Sequence, residues 1–164
     1  MIVRPAELSD IEVVRDIAWK TWPATYSDII SDEQIEYMLN TMYSHEALSK
    51  QFNNLNFRAL IAETTQPVGF CVAEFFYPEQ RFCRIHKLYV LPNIQGSGAG
   101  KALLESTKNL AIEFGMQALH LNVNRFNPAV SFYERNGFSI SYEEDVDLGE
   151  GFLGEDYVMI KEIG

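Results

Sequence analysis

Residues 88–101 read LYVLPNIQGSGAGK and pass from an apolar strand pattern, through a proline, into a loop with three glycines. An apolar helical pattern follows this loop. Free backbone N–H groups and the helix dipole make the start of such a helix an anion site, and glycines let a ligand approach the backbone closely. We therefore predict that the loop holds a phosphate or pyrophosphate. Its residues are Gln95, Gly96, Ser97, Gly98, Ala99, Gly100 and Lys101.

Two familiar phosphate-binding patterns do not match this loop. A nucleotide P-loop needs a glycine where Gln95 stands and a hydroxyl residue where Ala102 stands. The dinucleotide pattern Gly-x-Gly-x-x-Gly needs a third glycine where Lys101 stands. The loop therefore predicts a different phosphate ligand, and a tight turn without any ligand is the alternative.

Hydrophobic periodicity predicts the elements on both sides of the loop. Strands are predicted over residues 2–5, 57–63, 68–76, 82–90, 118–123, 138–147 and 155–162. Helices are predicted over residues 9–22, 31–42, a short stretch after Ser44, 98–114 and 127–136. Capping boxes at Ser9–Glu12 and Ser31–Gln34 begin the first two helices, and Pro23 is expected to end the first. One parallel crossover over 82–123 in an otherwise antiparallel sheet makes this an α+β protein.

Composition limits the class of protein. The 164 residues are 47% hydrophobic and 22% charged, which predicts one globular domain over residues 1–164. No apolar run approaches the ~20 residues that span a bilayer. Residues 1–7 lack the charged start and apolar run of a secretory signal. We therefore expect no membrane partner and a cytoplasmic location.

Charge and cysteine content narrow the partners. Asp and Glu outnumber Lys and Arg by 23 to 13, which gives a formal charge of −10. Such a surface repels phosphate backbones, so we expect no nucleic-acid partner. It favours cationic small molecules, although solubility alone also accounts for an acidic surface. Cys71 and Cys83 have no Cys or His at metal-ligand spacing, so we expect two reduced thiols and no metal.

Two blocks of the sequence resemble the GNAT N-acetyltransferase superfamily. Leu88–Pro92, followed by Gln95, Gly98 and Gly100, resembles its motif A, and Asn127–Phe138 (NPAVSFYERNGF) resembles its motif B. The blocks occur in the family's order and at about its spacing. The resemblance implies a mixed, mainly antiparallel, splayed sheet with about four helices in a three-layer α/β/α arrangement.

The resemblance also implies acetyl-coenzyme A as cosubstrate, with no metal. Its pyrophosphate is expected on the backbone N–H groups of Gln95–Lys101. Its pantetheine arm is expected along Leu88, Tyr89 and Val90, whose backbone groups the splayed sheet leaves free. Asn127 matches a residue that hydrogen-bonds this arm, and it is equally expected to cap the following helix.

Three groups are needed to transfer an acetyl group to an amine. Tyr133 matches the family tyrosine that protonates the leaving thiolate, and a backbone N–H near Val90 is expected to stabilise the oxyanion. Some relatives carry a glutamate base where this chain has Arg84, which cannot serve. His86, Glu74 and a water chain to bulk solvent are the candidates for the base. Alternation along the strand predicts that His86 shares a face with Arg84 and with residue 88.

The acceptor is the least determined part of this interpretation. The family's first two helices shape the acceptor site, and here they carry aromatics and carboxylates from Trp19 to Tyr43. These side chains either bind a cation or form a core and a solvated face. Trp22–Tyr26, Asn122–Asn127 and Gly151–Met159 are similar to the spermidine/spermine acetyltransferase-like branch. The implied acceptor is a primary amine of a small molecule, polyamines included, or of a peptide.

Two further alternatives for the function stay open. A non-catalytic sensor of acyl-coenzyme A on the same fold would carry the same motifs. A transferase that uses a longer acyl chain or an alcohol acceptor would also carry them. The resemblance admits a homodimer, because such dimers are common in the family.

Overall fold

The computed structural model describes residues 1–78 and 81–164. In these ranges the strands are β1 (Ile2–Pro5), β2 (Phe57–Glu63), β3 (Pro67–Tyr77), β4 (Phe82–Val90), β5 (Ala118–Asn124), β6 (Ser139–Gly149) and β7 (Phe152–Glu162). The helices are α1 (Ile11–Tyr26), α2 (Asp32–Met42), α3 (His45–Asn53), α4 (Ala99–Glu113) and α5 (Ala129–Arg135). Short 3-10 turns at Leu8–Asp10 and Pro92–Ile94 precede α1 and the glycine loop. The described helices thus number five, where about four were expected.

The seven strands form one sheet in the order β1-β2-β3-β4-β5-β7-β6. Among the described strands, β4 and β5 run parallel and the other neighbouring pairs are antiparallel. The mixed, mainly antiparallel sheet with its single crossover is therefore confirmed. The β6–β7 hairpin turns at Gly149–Gly151 as predicted, although its strands reach closer to the turn than expected.

The sheet opens between β4 and β5. The two strands pair only where Phe82–Ile85 lies beside Ala118–Leu121. At this point β4 carries a bulge, because Ala73 of β3 pairs with Ile85 while Val72 pairs with Lys87, which leaves His86 as an extra residue. A bulge bends its strand away from the regular ladder. Since β5 continues beside β7, the last part of β4 has an unpaired edge, as the predicted splay requires.

The helices cover both faces of the sheet, which confirms the three-layer arrangement. On one face α1, α2 and α3 build a core that includes Ile11, Val14, Ile17, Leu39, Tyr43, Leu48, Ile61, Phe70 and Val72. On the other face α4 and α5 build a core that includes Leu60, Phe75, Ile85, Leu103, Leu104, Leu119, Leu121, Phe138 and Met159. Cys71 and Cys83 are buried free thiols in this second core. None of the helices in the described ranges has the length and hydrophobicity to cross a bilayer.

The end of α1 differs from the prediction, because the helix continues through Pro23 to Tyr26. An interior proline removes one helical hydrogen bond and costs about 3 kcal/mol. Pro23 lies on the exposed side, while Trp22 and Tyr26 are buried on the other. Burial of each large apolar side chain stabilises by about 1.5–3 kcal/mol, so the packed face keeps the helix intact.

The caps of α2 and α3 lie where the sequence predicted these helices to begin. Ser31 and Ser44 accept hydrogen bonds from the backbone N–H groups of Gln34 and Ala47, both at 3.1 Å. The predicted cap at Ser9 is wrong. Asp10 precedes α1 instead, and its carboxylate accepts the Glu7 N–H at 2.8 Å at the start of the 3-10 turn and pairs with Arg4.

Candidate active site

The opening in the sheet forms a cleft of about 1230 Å³. Its walls come from the free ends of β4 and β5, the C-terminal part of α1, the glycine loop and the start of α5. The glycine loop leads into α4 on one face of the sheet. Side chains of β5, β6 and β7 enter the cleft from the other side. The cleft therefore contains nearly all of the predicted site residues.

The glycine loop has the geometry of an anion site. Gly96 and Gly98 have φ angles of +87° and +92°, which glycine adopts without strain. The first hydrogen bond of α4 runs from the N–H of Ala102 to the carbonyl of Gly98 at 2.9 Å. The N–H groups of the first three helical residues therefore have no partner within the helix. A bound anion fits here, because a Cβ at either glycine would meet no atom within 4 Å.

The loop residues contribute unequally to the cleft. Gln95, Gly96, Gly98, Gly100 and Lys101 line it. Gln95 also donates its amide to the carbonyl of Val90 at 3.3 Å, which ties the loop to the end of β4.

Two of the predicted loop residues are not among the described residues that line the cleft. Ala99 is the buried first residue of α4, and the backbone N–H of Ser97 donates to the carbonyl of Ile94 at 3.1 Å. Their predicted part in binding is therefore limited to the shape and backbone of the loop.

The free end of β4 presents Leu88, Tyr89 and Val90 to the cleft. On their other edge these residues pair with Cys71, Phe70 and Gly69 of β3, respectively. The edge towards β5 carries no ladder. An extended ligand can therefore add to this edge as a strand adds to a sheet.

Asn127 joins the start of α5 to α1. Its Oδ1 accepts the N–H of Ala129 at 2.9 Å, which confirms the predicted capping role. Its Nδ2 donates to the hydroxyl of Tyr26 at 3.1 Å, and that hydroxyl lies 2.8 Å from the hydroxyl of Tyr89. One amide hydrogen of Asn127 remains for a ligand in the cleft.

Tyr133 lies on α5, lines the cleft and is only 6% exposed. Its ring packs edge-on against Phe132 and Phe138, with centroids 5.3 and 5.5 Å away. Burial raises the pKa of Tyr133 well above its ordinary value, so the phenol stays protonated through the neutral range. The protonated phenol is thus available as a hydrogen-bond and proton donor to a departing sulfur.

The structure brings the two candidate bases together. The Nε2 atom of His86 lies 2.9 Å from Oε1 of Glu74 on the neighbouring strand. His86 lines the cleft, whereas Glu74 lies behind it and is not among the described lining residues. Burial lowers the pKa of His86, the hydrogen bond to Glu74 opposes this, and the charges of Arg84 and Lys87 lower it further.

The prediction that His86 and Leu88 lie on the same face of the sheet is wrong. Leu88 packs with the core beneath α4, whereas His86 stacks on Phe57, which packs with the core beneath α1. The extra residue in the β4 bulge shifts the alternation by one, so His86 and Leu88 lie on opposite faces.

Two carboxylates form the other side of the cleft. Glu144 of β6 and Asp156 of β7 are directly opposite each other in the hairpin, and both line the cleft. The amide Nδ2 of Asn122 donates to both, at 2.7 and 3.2 Å. Burial raises the pKa of Asp156, and the charge of Glu144 acts in the same direction. We call Asn122, Glu144 and Asp156 the acidic side, and Gln95–Lys101 the glycine-loop side.

The sequence prediction placed such carboxylates on the first two helices instead. Of the residues that it named there, Trp22, Tyr26 and Met38 line the cleft. The carboxylates of that segment are exposed to solvent, namely Asp28, Asp32, Glu33 and Glu36. The sequence does contain a signal for the acidic side. A hairpin centred on residue 150 pairs positions 144 and 156, which places the two carboxylates side by side.

A buried lysine was not predicted. Lys87 is 4% exposed and lies on β4, next to His86. Its Nζ donates to Oε1 of Gln51 at 2.7 Å and lies 5.1 Å from the ring centroid of Tyr43. Burial lowers the pKa of Lys87 to about 8. No cluster of His, Cys, Asp and Glu suited to a metal ion occurs within residues 1–78 and 81–164.

Comparison with known proteins identifies the family. A profile described as the acetyltransferase (GNAT) family matches residues 11–138. The chain is 30% identical to a spermidine N(1)-acetyltransferase of Thermoplasma acidophilum over 97% of its own length and 95% of that protein. A peptidyl-lysine N-acetyltransferase of Escherichia coli is 32% identical, over 56% of each chain. The solved PaiA N-acetyltransferase of T. acidophilum in complex with coenzyme A superposes with a TM-score of 0.84, at 28% identity and 98% coverage of both chains.

These matches agree with the site geometry and confirm the resemblance of the two motifs. The glycine loop and the open edge of β4 lie inside the matched region. The chain therefore belongs to the GNAT acetyltransferase family and is an acetyl-CoA-dependent N-acetyltransferase.

Proposed function

We propose that the acceptor is a primary amine of a small molecule with several positive charges, and that polyamines are the favoured class. The acidic side of the cleft carries this proposal. Glu144 and Asp156 face each other there, and their shared hydrogen-bond donor is the neutral amide of Asn122. The similarity to a spermidine N(1)-acetyltransferase over nearly the whole chain supports the same class.

Glu144 and Asp156 differ from the neighbouring carboxylates in their surroundings. Their neighbours Glu143, Asp145 and Glu155 each lie within 3.7 Å of the guanidinium of Arg125. No such cationic partner reaches Glu144 or Asp156 from the residues that the structure describes. In a polyamine, one amine reacts in its neutral form while the others stay charged. Two carboxylates in a cleft that form no ion pair with described residues suit these remaining ammonium groups.

A peptide acceptor has weaker support. The peptidyl-lysine acetyltransferase matches about half of each chain, so that similarity does not include the whole acceptor side. A non-catalytic binding role finds no support in the named relatives, which are transferases.

We propose the following roles for the cosubstrate. The free N–H groups at the start of α4 bind the pyrophosphate of acetyl-CoA, and the positive charge of Lys101 assists them. The open edge at Leu88–Val90 pairs with the pantetheine arm, and the remaining amide hydrogen of Asn127 donates to it. Acetyl-CoA supplies an activated carbonyl whose thiolate leaves readily.

The proposed catalytic steps use three groups of this chain. His86 accepts the proton that the attacking amine loses. A backbone N–H near Val90 stabilises the oxyanion, as such donors do in acyl transfer. Tyr133 then donates its phenolic proton to the departing sulfur.

The acceptor proposal is tested by thiol release from acetyl-CoA with spermidine, spermine, single amino acids and short peptides. We expect the polyamines to be the best acceptors. Glu144→Gln and Asp156→Asn should each lower kcat/KM for spermidine about 10–100-fold, because each removes a charge-assisted contact of about 1.5–3 kcal/mol.

Glu143→Gln is the matched control. Glu143 lies beside Glu144 on β6 but is exposed and faces Arg125. This variant should leave kcat/KM unchanged. A wild-type enzyme that acetylates neutral peptides but ignores spermidine and spermine would overturn the proposal.

A further inference from the structure

We infer that Glu74 is a positioning residue that fixes His86 as the tautomer with hydrogen on Nε2, so that Nδ1 accepts the proton of the acceptor amine. The inference rests on the proposed role of His86 as the base. It replaces the prediction that Glu74 itself is a base. It does not depend on which amine is the acceptor.

The first observation is the direction of the contact. Nε2 is the ring nitrogen that lies 2.9 Å from Oε1 of Glu74. An ionised carboxylate only accepts hydrogen bonds, so Nε2 must carry the hydrogen. Neutral imidazole holds one hydrogen, and its second nitrogen is then a free acceptor. Nδ1 has no hydrogen bond to a described residue, and it is not among the enclosed polar atoms that lack partners.

The second observation is that the ring is held on several sides. Phe57 stacks on the imidazole with centroids 5.2 Å apart and planes at 23°, and Tyr77 packs edge-on at 6.3 Å. The β4 bulge points His86 out of the regular ladder and into the cleft wall. Two ring contacts and one hydrogen bond therefore determine the orientation of the imidazole.

The third observation is that Glu74 is not engaged by the nearest guanidinium. Arg84 is the register partner of Glu74, yet its Nη1 donates to the hydroxyl of Tyr77 at 3.0 Å and its guanidinium lies 5.1 Å from the centroid of that ring. The carboxylate of Glu74 is therefore available to accept the hydrogen bond from His86.

The charges around His86 show why the carboxylate is needed. Arg84 and Lys87 of β4 disfavour the imidazolium, and Glu74 of β3 favours it. Burial lowers the pKa of His120 of β5 to about 4, and the charges of Arg84 and His86 act in the same direction, so His120 adds no positive charge beside His86 at neutral pH. Without Glu74 the imidazole would accept a proton less readily in a buried and positively charged setting.

The proton balance of the reaction is complete with these groups. The amine nitrogen forms a bond to the acetyl carbon and gives one proton to Nδ1 of His86. The carbon–sulfur bond breaks, and the sulfur takes the phenolic proton of Tyr133. Release of the His86 proton and reprotonation of Tyr133 return the enzyme to its starting state. Glu74 changes no bond and keeps its charge throughout.

The experiment combines kinetics with 15N NMR of the histidine rings in wild type, Glu74→Gln and His86→Gln. In wild type, the spectrum of His86 at neutral pH should show hydrogen on Nε2. Glu74→Gln is nearly isosteric but uncharged, and its amide can present either the oxygen or the NH₂ to Nε2, so it no longer fixes one tautomer. We expect this variant to lose the wild-type signature and to lower kcat about 10–100-fold, with KM for acetyl-CoA unchanged.

The pH profile gives a readout that a purely structural role would not move. The acidic limb of kcat should shift to lower pH in Glu74→Gln, because its imidazolium has lost its anion. Glu74→Asp keeps a carboxylate and should recover part of kcat. A thermal melt shows that each variant is folded.

The outcomes separate the two levels of the proposal. The positioning role of Glu74 is overturned by a wild-type spectrum with hydrogen on Nδ1. It is also overturned if Glu74→Gln keeps both the tautomer and the pH profile of wild type. In either case His86→Gln still tests whether His86 is the base. Wild-type kcat in His86→Gln overturns the base role itself, and the catalytic part of this inference with it. The NMR signature then reports only on the hydrogen bond.

Discussion

The glycine-loop side and the acidic side of the cleft are built in different ways. The glycine-loop side comes from one continuous segment and works through backbone N–H groups. The acidic side is assembled from side chains on β5, β6 and β7. Backbone N–H groups suit a cosubstrate that is the same in every reaction. The side chains of the acidic side can differ from one enzyme to another and so suit different acceptors. Changes on one side should therefore alter the kinetic constants for one substrate and leave those for the other substrate unchanged.

Tyr133 is the proposed general acid for every acceptor, and its loss should have the largest effect. We expect Tyr133→Phe to lower kcat about 10²–10⁴-fold, as removal of a general acid does, with little change in KM for either substrate. The measurement is thiol release under saturating acetyl-CoA and amine. An equal decrease in kcat with every amine would mean that Tyr133 acts in the chemical step that all acceptors share, and not in the binding of one substrate.

Tyr43→Phe is the control for this prediction. The Tyr43 hydroxyl is also buried, and it has no hydrogen-bond partner in the described part of the chain. Its removal should leave kcat unchanged and stability unchanged or slightly higher, since a buried hydroxyl without a partner is unfavourable. Wild-type kcat in Tyr133→Phe would contradict the role of general acid.

Gly98→Ala tests the glycine-loop side alone. A side chain at a φ of +92° costs about 1–2 kcal/mol, and relief of this strain would rotate the N–H groups away from the ligand. We expect KM for acetyl-CoA to rise about 10–100-fold and KM for the amine to stay constant. Coenzyme A binding by calorimetry should fall in parallel.

The control is Gly115→Ala, at an exposed turn after α4. Gly115 has a φ of +77° and equally open space around its Cβ position. It should lose similar stability but keep wild-type KM for acetyl-CoA. If both variants bind coenzyme A like wild type, the loop geometry is not what holds the pyrophosphate.

The same comparison explains what was predictable from the sequence. The glycine-loop side lies within one segment, so spacing alone located Gly96 and Gly98 between a strand and a helix. Strand pairing and the order of elements were also predictable, because alternation along each strand is a local property. Pro23 was misjudged because tertiary burial of its neighbours decides whether the helix continues.

The rest of the site needed the structure because it depends on distant contacts. Glu74 and His86 were separate candidates until strand register placed them 2.9 Å apart. The bulge that inverts the expected face of Leu88 has no Gly or Pro to mark it. Asp156 and Glu144 read as ordinary charges in a hairpin, and only the position of that hairpin beside β5 brings them to the cleft.

Lys87 provides a test of a different kind, because its effect is on stability as a function of pH and not on activity. Its pKa is about 8 in the folded protein, against an ordinary value of 10.5. Below pH 8 the group is charged in both states, and its burial destabilises the fold. Between pH 8 and 10.5 the unfolded chain binds more protons than the folded one, so the free energy of unfolding rises with pH.

We expect Lys87→Met to remove this pH dependence. The difference in unfolding free energy between the variant and wild type should be greatest below pH 8 and decrease by about 3 kcal/mol towards pH 10.5. Urea denaturation at several pH values measures it, with Lys20→Met as an exposed control that should show no such trend. A difference that is constant with pH would mean that Lys87 is hydrated in the cleft and that burial does not lower its pKa.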